Sequence, residues 1–250
     1  MAGAEVQRRL TWAIAEVVEL IDENPTVRSI VLAVPEWKGH LAGQHIDIRL
    51  TAEDGYQAQR SYSIANPVDG EKVTITVELV EDGEVSPYLM QDLVVGDRVE
   101  IRGPIGGYFV WDPSLGDPVQ LIGGGSGVVP LMTILRTRFV AASDVPMRYL
   151  SSARTLEHLL YVDELEELRR QASGITVVHT LTRSHPDDWS GPTRRVDRAM
   201  LEEFGWPASQ RPLSFVCGPT GFVETVASTL VDLGHDPGRI KTERFGPTGG

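Results

Sequence analysis

Several short stretches of this sequence combine residue types that suit a phosphate or a flat ring. A glycine run, Gly123-Gly-Gly-Ser-Gly127, follows a short apolar segment and precedes a segment with helical spacing. Free backbone amides at the start of a helix attract phosphate, so the run is a candidate nucleotide loop. It is neither a P-loop nor a strict GxGxxG pattern, because Val128 stands where the third glycine would be. A tight strand-to-helix turn would explain the same residues.

A second stretch, Arg60-Ser-Tyr-Ser63, places an arginine and a tyrosine two residues apart. In a strand, Arg60 and Tyr62 would share one face. A guanidinium offers a phosphate two parallel hydrogen bonds, and a tyrosine offers a ring a flat surface. A solvated strand of a β-barrel is the alternative interpretation.

Two more stretches lie towards the C-terminus. Cys217-Gly-Pro219 follows an apolar run, at the carboxyl end of a predicted parallel strand, where open α/β sheets bind ligands. A small cysteine in the core is the alternative. Glu243-Arg-Phe245 follows the last predicted strand, where such residues also serve to cover a sheet edge.

Arginines follow two predicted strands of the second half of the chain. These are Arg154 and Arg183, and Arg194 and Arg195 lie on a turn-rich stretch nearby in sequence. Arginines around strand ends suit a doubly charged phosphate. As separate residues, arginines at such positions are most often partners in surface ion pairs.

Composition limits the kinds of site and the location. The chain has 250 residues, 41% of them hydrophobic and 23% charged, with no apolar stretch of membrane-spanning length. The single cysteine excludes an intrachain disulfide and any multi-cysteine zinc or iron–sulfur site, and the six histidines form no HExxH pair. We therefore expect no metal site, no cleaved signal peptide and a soluble cytoplasmic protein.

Charge is distributed unevenly. The net charge is −12; residues 1–118 hold 9 Lys/Arg and 20 Asp/Glu, whereas residues 119–250 hold 14 and 15. This balance argues against nucleic acid or an anionic membrane as a partner.

The first half of the chain has the pattern of short strands. They are predicted at 12–20, 27–34, 45–50, 60–64, 73–80 and 98–102. Ser86 as N-cap and Pro87 predict one short helix over 86–93, and 103–107 is a turn cluster. This spacing favours an antiparallel barrel or sandwich, assigned to residues 1–114.

After a turn-rich linker at 112–118, strands and helices alternate. Strands are predicted at 119–122, 147–150, 175–181, 213–216 and 240–242, and helices at 130–140, 156–168, 197–204 and 222–233. Alternation of this kind predicts a doubly wound parallel sheet, assigned to residues 115–250.

Taken in order, the motifs resemble the ferredoxin–NADP reductase superfamily across residues 10–246. They are RSYS, GEVS at 83–86, GPIGGYF at 103–109, GGGSGVVP at 123–130, CGP and ERF. The sequence is most similar to the stand-alone flavin and nicotinamide module of bacterial oxygenase reductases, without a ferredoxin domain. The resemblance implies a flavin-binding barrel followed by an NAD(P)-binding domain.

The resemblance also implies roles for matched residues. The FAD-binding residues would be Arg60, Tyr62, Ser63, Gly83, Val85, Ser86 and Phe245. Gly125, Ser126, Gly127 and Gly218 would bind the pyridine nucleotide. The residues at the reacting rings would be Ser63, Cys217, Glu243 and Phe245. Ser63 would lie near flavin N5, Cys217 beside the nicotinamide, Glu243 would support charge and protons, and Phe245 would cover the flavin.

The resemblance favours FAD over FMN and NADPH over NADH. Arg154, Thr182 and Arg183 match positions that bind a 2′-phosphate, and Ser151-Ser-Ala-Arg154 has no acidic residue for a ribose. Four carboxylates, Glu78, Glu81, Asp82 and Glu84, surround the proposed diphosphate loop. Since like charges disfavour phosphate binding, they are expected to point to water.

The implied function is electron transfer from NADPH through FAD to a separate ferredoxin-like or oxygenase protein. An acidic first half would repel an acidic ferredoxin. One alternative is a flavin or ferric-complex reductase with a diffusible acceptor. Another is a non-catalytic nucleotide-binding regulatory subunit. The tail at 246–250 is expected to be disordered or to reach the flavin adenine.

Overall fold

The first sheet is a curled, six-stranded antiparallel sheet. The computed structural model describes residues 10–246, so most of the tail lies outside the described residues. The sheet order is β4-β3-β6-β1-β2-β5. Its strands are β1 (Ala13–Asn24), β2 (Val27–Ala33), β3 (His45–Thr51), β4 (Gln57–Ser63), β5 (Lys72–Glu78) and β6 (Arg98–Ile105). A bridge between Ile64 and Ile75 joins the two edges, which confirms the predicted barrel.

Alternation of side chains along the strands builds the barrel core. On β5, Val73, Ile75 and Val77 are fully buried on the inner face. The residues between them lie on the outer face of the strand. β-branched residues pack well on a pleated surface, so this segment is stable as a strand. The outer face is left for polar groups.

The second sheet is parallel, in the order β11-β10-β7-β8-β9. Its strands are β7 (Val119–Gly124), β8 (Met147–Ala153), β9 (Ile175–Leu181), β10 (Leu213–Pro219) and β11 (Ile240–Phe245). Helices α1 (Val128–Val140) and α2 (Val162–Gln171) cover one face, and α3 (Arg198–Phe204) and α4 (Thr220–Asp232) cover the other. The predicted doubly wound sheet is confirmed. The chain changes sheets between β6 and β7, where the predicted boundary at 114/115 falls.

Polar bonds fix the two domains against each other. The guanidinium of Arg136 on α1 donates to the carbonyl of Ala65 beyond β4, at 2.5 Å, and forms two hydrogen bonds with Glu164 on α2. The hydroxyl of Tyr161 lies 2.6 Å from Thr76 Oγ1 on β5. Buried bonds of this kind constrain geometry as well as stability. The cleft between the domains therefore has a defined shape.

Two strands extend further than predicted. β6 continues to Ile105, so the first part of the predicted turn cluster belongs to the sheet. β11 continues to Phe245, so Glu243 and Phe245 lie on the last strand and not beyond it. In both places a neighbouring strand pairs with the added residues, and at β6 this pairing outweighs the local turn propensity of the sequence.

Two predicted helices also differ. The one expected over 86–93 is a short π-helical turn (Tyr88–Asp92), and Ser86 does not cap it. The hydroxyl of Ser86 instead accepts a hydrogen bond from the backbone N–H of Val80, at 3.0 Å. The leucine-rich segment 156–168 breaks at Tyr161, which has a left-handed φ of 60°, so α2 begins only afterwards. Among residues 10–246, no helix has the length and apolar character needed to cross a bilayer.

Candidate active site

One row of residues crosses the parallel sheet near the carboxyl ends of its strands. Strand register places Gly123 of β7 beside Cys217 of β10, and Cys217 beside Glu243 of β11. In the other direction the row continues through Ser151 to His179. Ligands of doubly wound sheets bind at this end, and the central strands β7 and β10 flank the point where the strand order reverses.

The glycine loop packs directly against this row. A Cβ atom on Gly127 would lie 2.4 Å from the carbonyl oxygen of Cys217, so only glycine allows α1 to begin there. Gly125 has a φ of 56°, and a Cβ atom on it would meet nothing within 4 Å. The loop is thus tight on its inner side and open on its outer side, where a phosphate could approach.

Cys217 is buried between the two neighbouring strands. Burial raises the pKa of its thiol well above the ordinary value, and the nearby Glu243 carboxylate raises it further. The side chain therefore remains a neutral thiol at physiological pH. It offers a small polarisable surface and not a reactive thiolate.

Glu243 faces the barrel across the cleft. Its Oε1 atom lies 3.9 Å from Nδ1 of His45 on β3. Its Oε2 atom is buried and has no hydrogen-bond partner among the described residues. Burial raises the pKa of Glu243 to about 7, and burial lowers the pKa of His45, partly offset by Asp47. Glu243 can hold or release a proton near neutral pH.

His45 connects this carboxyl group to the barrel motif. The β3–β4 register places His45 directly opposite Ser63. The structure thus brings Ser63 and Glu243 to the same end of the cleft, as the sequence interpretation requires. No local pattern of the sequence marks His45 as a site residue; only strand pairing and the contact between the domains do so.

The rest of the RSYS motif lies on β4. Tyr62 packs against the barrel core, and burial raises its pKa. Arg60 is half exposed and donates a hydrogen bond to the carboxylate of Glu84. Glu84 is exposed to water, as expected, but its carboxylate also accepts a hydrogen bond from this guanidinium, which the sequence did not predict. The other three acidic residues of that stretch are exposed or nearly so, as expected.

In the loop containing GEVS, the side chains of Val85 and Ser86 are engaged within the barrel domain. Val85 is fully buried in the barrel core, and Ser86 is engaged with Val80. A Cβ atom on Gly83 would lie 2.9 Å from the carbonyl oxygen of Val80, so the loop closes tightly on itself. Part of the main chain is engaged as well, since the N–H of Gly83 donates to the Val80 carbonyl and the carbonyl of Val85 accepts from Leu89.

Tertiary structure brings the proposed 2′-phosphate residues together. The backbone N–H of Arg183 donates to the carbonyl of Arg154 at 2.9 Å, and Thr182 bonds to Ala153 through both its N–H and its hydroxyl. Both arginines are exposed, and within residues 10–246 neither forms an ion pair. In contrast, Arg194 pairs with Asp197.

The C-terminal aromatic lies beside the CGP turn. Phe245 pairs in register with Pro219 and packs partly against the core of the nucleotide domain. Gly218 approaches the Gly124 backbone closely, and Ser126 is partly exposed on the glycine loop. Among residues 10–246, no group of three or more His, Cys, Asp or Glu side chains is arranged to hold a metal ion.

Two family models match the chain one after the other. Residues 15–110 match an oxidoreductase FAD-binding domain, and residues 121–228 match an oxidoreductase NAD-binding domain. The chain belongs to the ferredoxin–NADP reductase superfamily. Its two domains are those of an FAD- and NAD(P)H-dependent oxidoreductase of this superfamily.

Similar proteins include reductase components of oxygenases. The glycine betaine monooxygenase reductase subunit of Pseudomonas aeruginosa is 30% identical over 95% of this chain and 66% of its own length. The cytochrome P450 reductase GcoB of Amycolatopsis is 28% identical, with a TM-score of 0.84 over 97% of this chain and 72% of that chain. A ferredoxin NADP+ reductase from Neisseria gonorrhoeae has the same fold, with a TM-score of 0.80 at 19% identity over 93% and 98% of the two chains. The chain spans about two thirds or less of the length of the first curated relatives that it matches.

Proposed function

We propose that this protein is an NADPH-dependent reductase that passes electrons through bound FAD to a separate acceptor protein. The observation that carries the proposal is the approach of Glu243 to His45 across the domain cleft. The contact brings the end of β11 beside β3, the strand paired with the RSYS strand, which supports a nicotinamide and a flavin ring meeting at this point. Reductase components of oxygenases among the relatives support an oxygenase or ferredoxin-like acceptor.

The residues present fit a flavin diphosphate and a ring. Arg60 supplies a guanidinium, and the loop at Gly83 and Val85 supplies main-chain groups. Tyr62 and Ser63 lie at the end of the same strand, where the ring would be held, and Ser86 shapes the loop from behind. When bound, FAD supplies the redox chemistry, since it accepts a hydride from the pyridine nucleotide.

The chain's own residues orient the donor and manage protons. Open amides of Gly125, Ser126 and Gly127 would bind the dinucleotide phosphates. Cys217 would support the nicotinamide as a neutral surface, with Gly218 leaving room beside it. Positioning of two reactants in one cleft is worth about 7–11 kcal/mol of a reaction barrier.

Two residues of β11, Glu243 and Phe245, would supply protons and control access to the flavin ring. Glu243 can exchange a proton near neutral pH, and His45 offers Nδ1 as its neighbour. Phe245 would cover the flavin and give way to the nicotinamide. The preference for NADPH is supported by the exposed arginines at 154 and 183, together with Thr182, whose bonds to Ala153 hold the ends of β8 and β9 together.

An absorbance spectrum of the purified protein, followed by anaerobic titration with NADPH and NADH, tests this function. The expected result is a flavin spectrum that bleaches with one equivalent of NADPH and more slowly with NADH. A protein that binds no flavin even after incubation with FAD would contradict the proposal. Oxidation of NADPH only in the presence of free flavin would favour the reductase with a diffusible acceptor.

A further inference from the structure

The guanidinium of Arg60, which is proposed to bind the flavin diphosphate, forms an ion pair with the carboxylate of Glu84. Nη2 of Arg60 donates to Oε2 of Glu84, and the hydroxyl of Tyr56 donates to Oε1 of the same residue. Nη1 of Arg60 donates to the carbonyl of Gln59 at 2.7 Å. Both carboxylate oxygens and both terminal nitrogens of the guanidinium are therefore engaged with groups of this chain.

The contact joins two loops that are otherwise acidic. Tyr56 and Arg60 belong to the β3–β4 hairpin and its second strand, and Glu84 belongs to the loop after β5. Across segments 51–63 and 78–86, the only Lys or Arg is Arg60. The carboxylates of these segments are Glu53, Asp54, Glu78, Glu81, Asp82 and Glu84. A phosphate that binds here has one cation to bind, and Glu84 already binds it.

Glu84 remains an anion under ordinary conditions. The hydrogen bonds from Tyr56 and then Arg60 lower the pKa of its carboxyl group. The side chains of Arg60 and Glu84 are 50% and 44% exposed, so solvent can replace the contact without burying a charge. An exposed ion pair of this kind is weak enough to be displaced by a ligand and strong enough to compete with it.

We propose that Glu84 competes with the phosphates of flavin nucleotides for Arg60 and thereby sets how tightly the protein holds its flavin. This inference rests on the proposed function, which places the flavin diphosphate at Arg60. A flavin nucleotide must displace Glu84 to gain its charge-assisted hydrogen bonds, whereas riboflavin has no phosphate and gains nothing from Arg60.

The test compares three flavins on flavin-depleted protein, with dissociation constants measured by quenching of flavin fluorescence. Glu84→Gln keeps the size of the side chain and removes its charge. We expect this variant to bind FAD and FMN about five- to tenfold more tightly than the wild type and riboflavin equally well. Glu81→Gln is the matched control, because it removes one exposed charge from the same loop, and we expect less than a twofold change.

Three outcomes would overturn the inference. They are unchanged FAD affinity in Glu84→Gln, the same gain in Glu81→Gln, or an equal gain for riboflavin, since the last two indicate a general charge or fold effect. Arg60→Gln separates this failure from failure of the proposed site. If Arg60→Gln weakens FAD but not riboflavin while Glu84→Gln has no effect, the diphosphate site stands and the competition does not. Thermal unfolding of each variant checks that the fold is intact.

Discussion

The imidazole of His45 and the carboxyl group of Glu243 face each other at 3.9 Å across the cleft between the barrel and the parallel sheet. His45 lies opposite Ser63 on the barrel side, and Glu243 lies beside Cys217 on the nucleotide side. One pair thus joins the two halves of the proposed reaction site. Because Oε2 of the half-buried Glu243 is buried without a hydrogen-bond partner among the described residues, protonation of this carboxyl group depends on the state of the cleft.

Glu243 should make the protein less stable as the pH rises. Burial raises its pKa from 4.5 to about 7, so the folded protein binds more protons than the unfolded chain between these values. Stability is therefore lost as the pH rises through this window. Glu243→Gln lacks this loss, and we expect it to be more stable than the wild type by about 1–2 kcal/mol at pH 8 but not at pH 4.5.

Urea unfolding at the two pH values measures this difference. Glu203→Gln is the control, because Glu203 is exposed and makes no ion pair within the described residues. A stability difference between Glu243→Gln and the wild type that is the same at both pH values would show that Glu243 titrates normally.

Arg183 should discriminate between the two pyridine nucleotides. Removing its guanidinium in Arg183→Ala takes away one of two exposed cations at the ends of β8 and β9. We expect KM for NADPH to rise about tenfold or more and KM for NADH to change little, since only NADPH carries the 2′-phosphate. Steady-state kinetics with an artificial acceptor gives both values.

Arg169→Ala is the control for the loss of one positive charge on this domain, because Arg169 pairs with Glu166 on α2. Equal changes of KM for NADPH and NADH in Arg183→Ala would exclude Arg183 from 2′-phosphate binding.

Gly127 should tolerate no side chain. In Gly127→Ala the new Cβ atom would lie 2.4 Å from the Cys217 carbonyl oxygen, and backbone must move to relieve the contact. We expect a loss of about 1–3 kcal/mol of stability and weaker binding of NADPH. Gly221→Ala is the matched control on α4, where a Cβ atom meets nothing within 4 Å; there we expect a gain of about 0.5–1 kcal/mol. Chemical denaturation compares the two, and similar effects of both substitutions would refute the close contact.

Tyr161 should stabilise the junction between the domains. Tyr161→Phe removes a buried hydroxyl that lies 2.6 Å from Thr76 Oγ1. We expect a loss of about 1–2 kcal/mol of stability, because Thr76 then loses one of its two buried partners. Tyr88→Phe makes the same chemical change on a partly exposed ring and should cost less than 0.5 kcal/mol by the usual range for surface sites. Thermal or urea unfolding measures both variants. Equal losses of stability in Tyr161→Phe and Tyr88→Phe would show that the Tyr161 hydroxyl does not stabilise the junction.

Much of the fold follows from residue patterns that are local in sequence. Alternating apolar residues such as Val73, Ile75 and Val77 indicate a strand whichever sheet it joins. Short apolar segments that alternate along the chain with segments of helical periodicity indicate a parallel sheet covered by helices. The ends of elements were less predictable, because β11 and β6 extend past their predicted ends where a neighbouring strand pairs with them.

The sequence by itself determined the two domain types and the order of the motifs, since these depend on composition and periodicity along the chain. Only the tertiary structure decided that His45 meets Glu243, that the backbones of Arg154 and Arg183 are hydrogen-bonded at the ends of β8 and β9, and that Glu84 binds Arg60. These contacts join segments far apart in the chain, and their geometry is set by strand register and domain packing. No local pattern carries that information, because register and packing are properties of the assembled sheets.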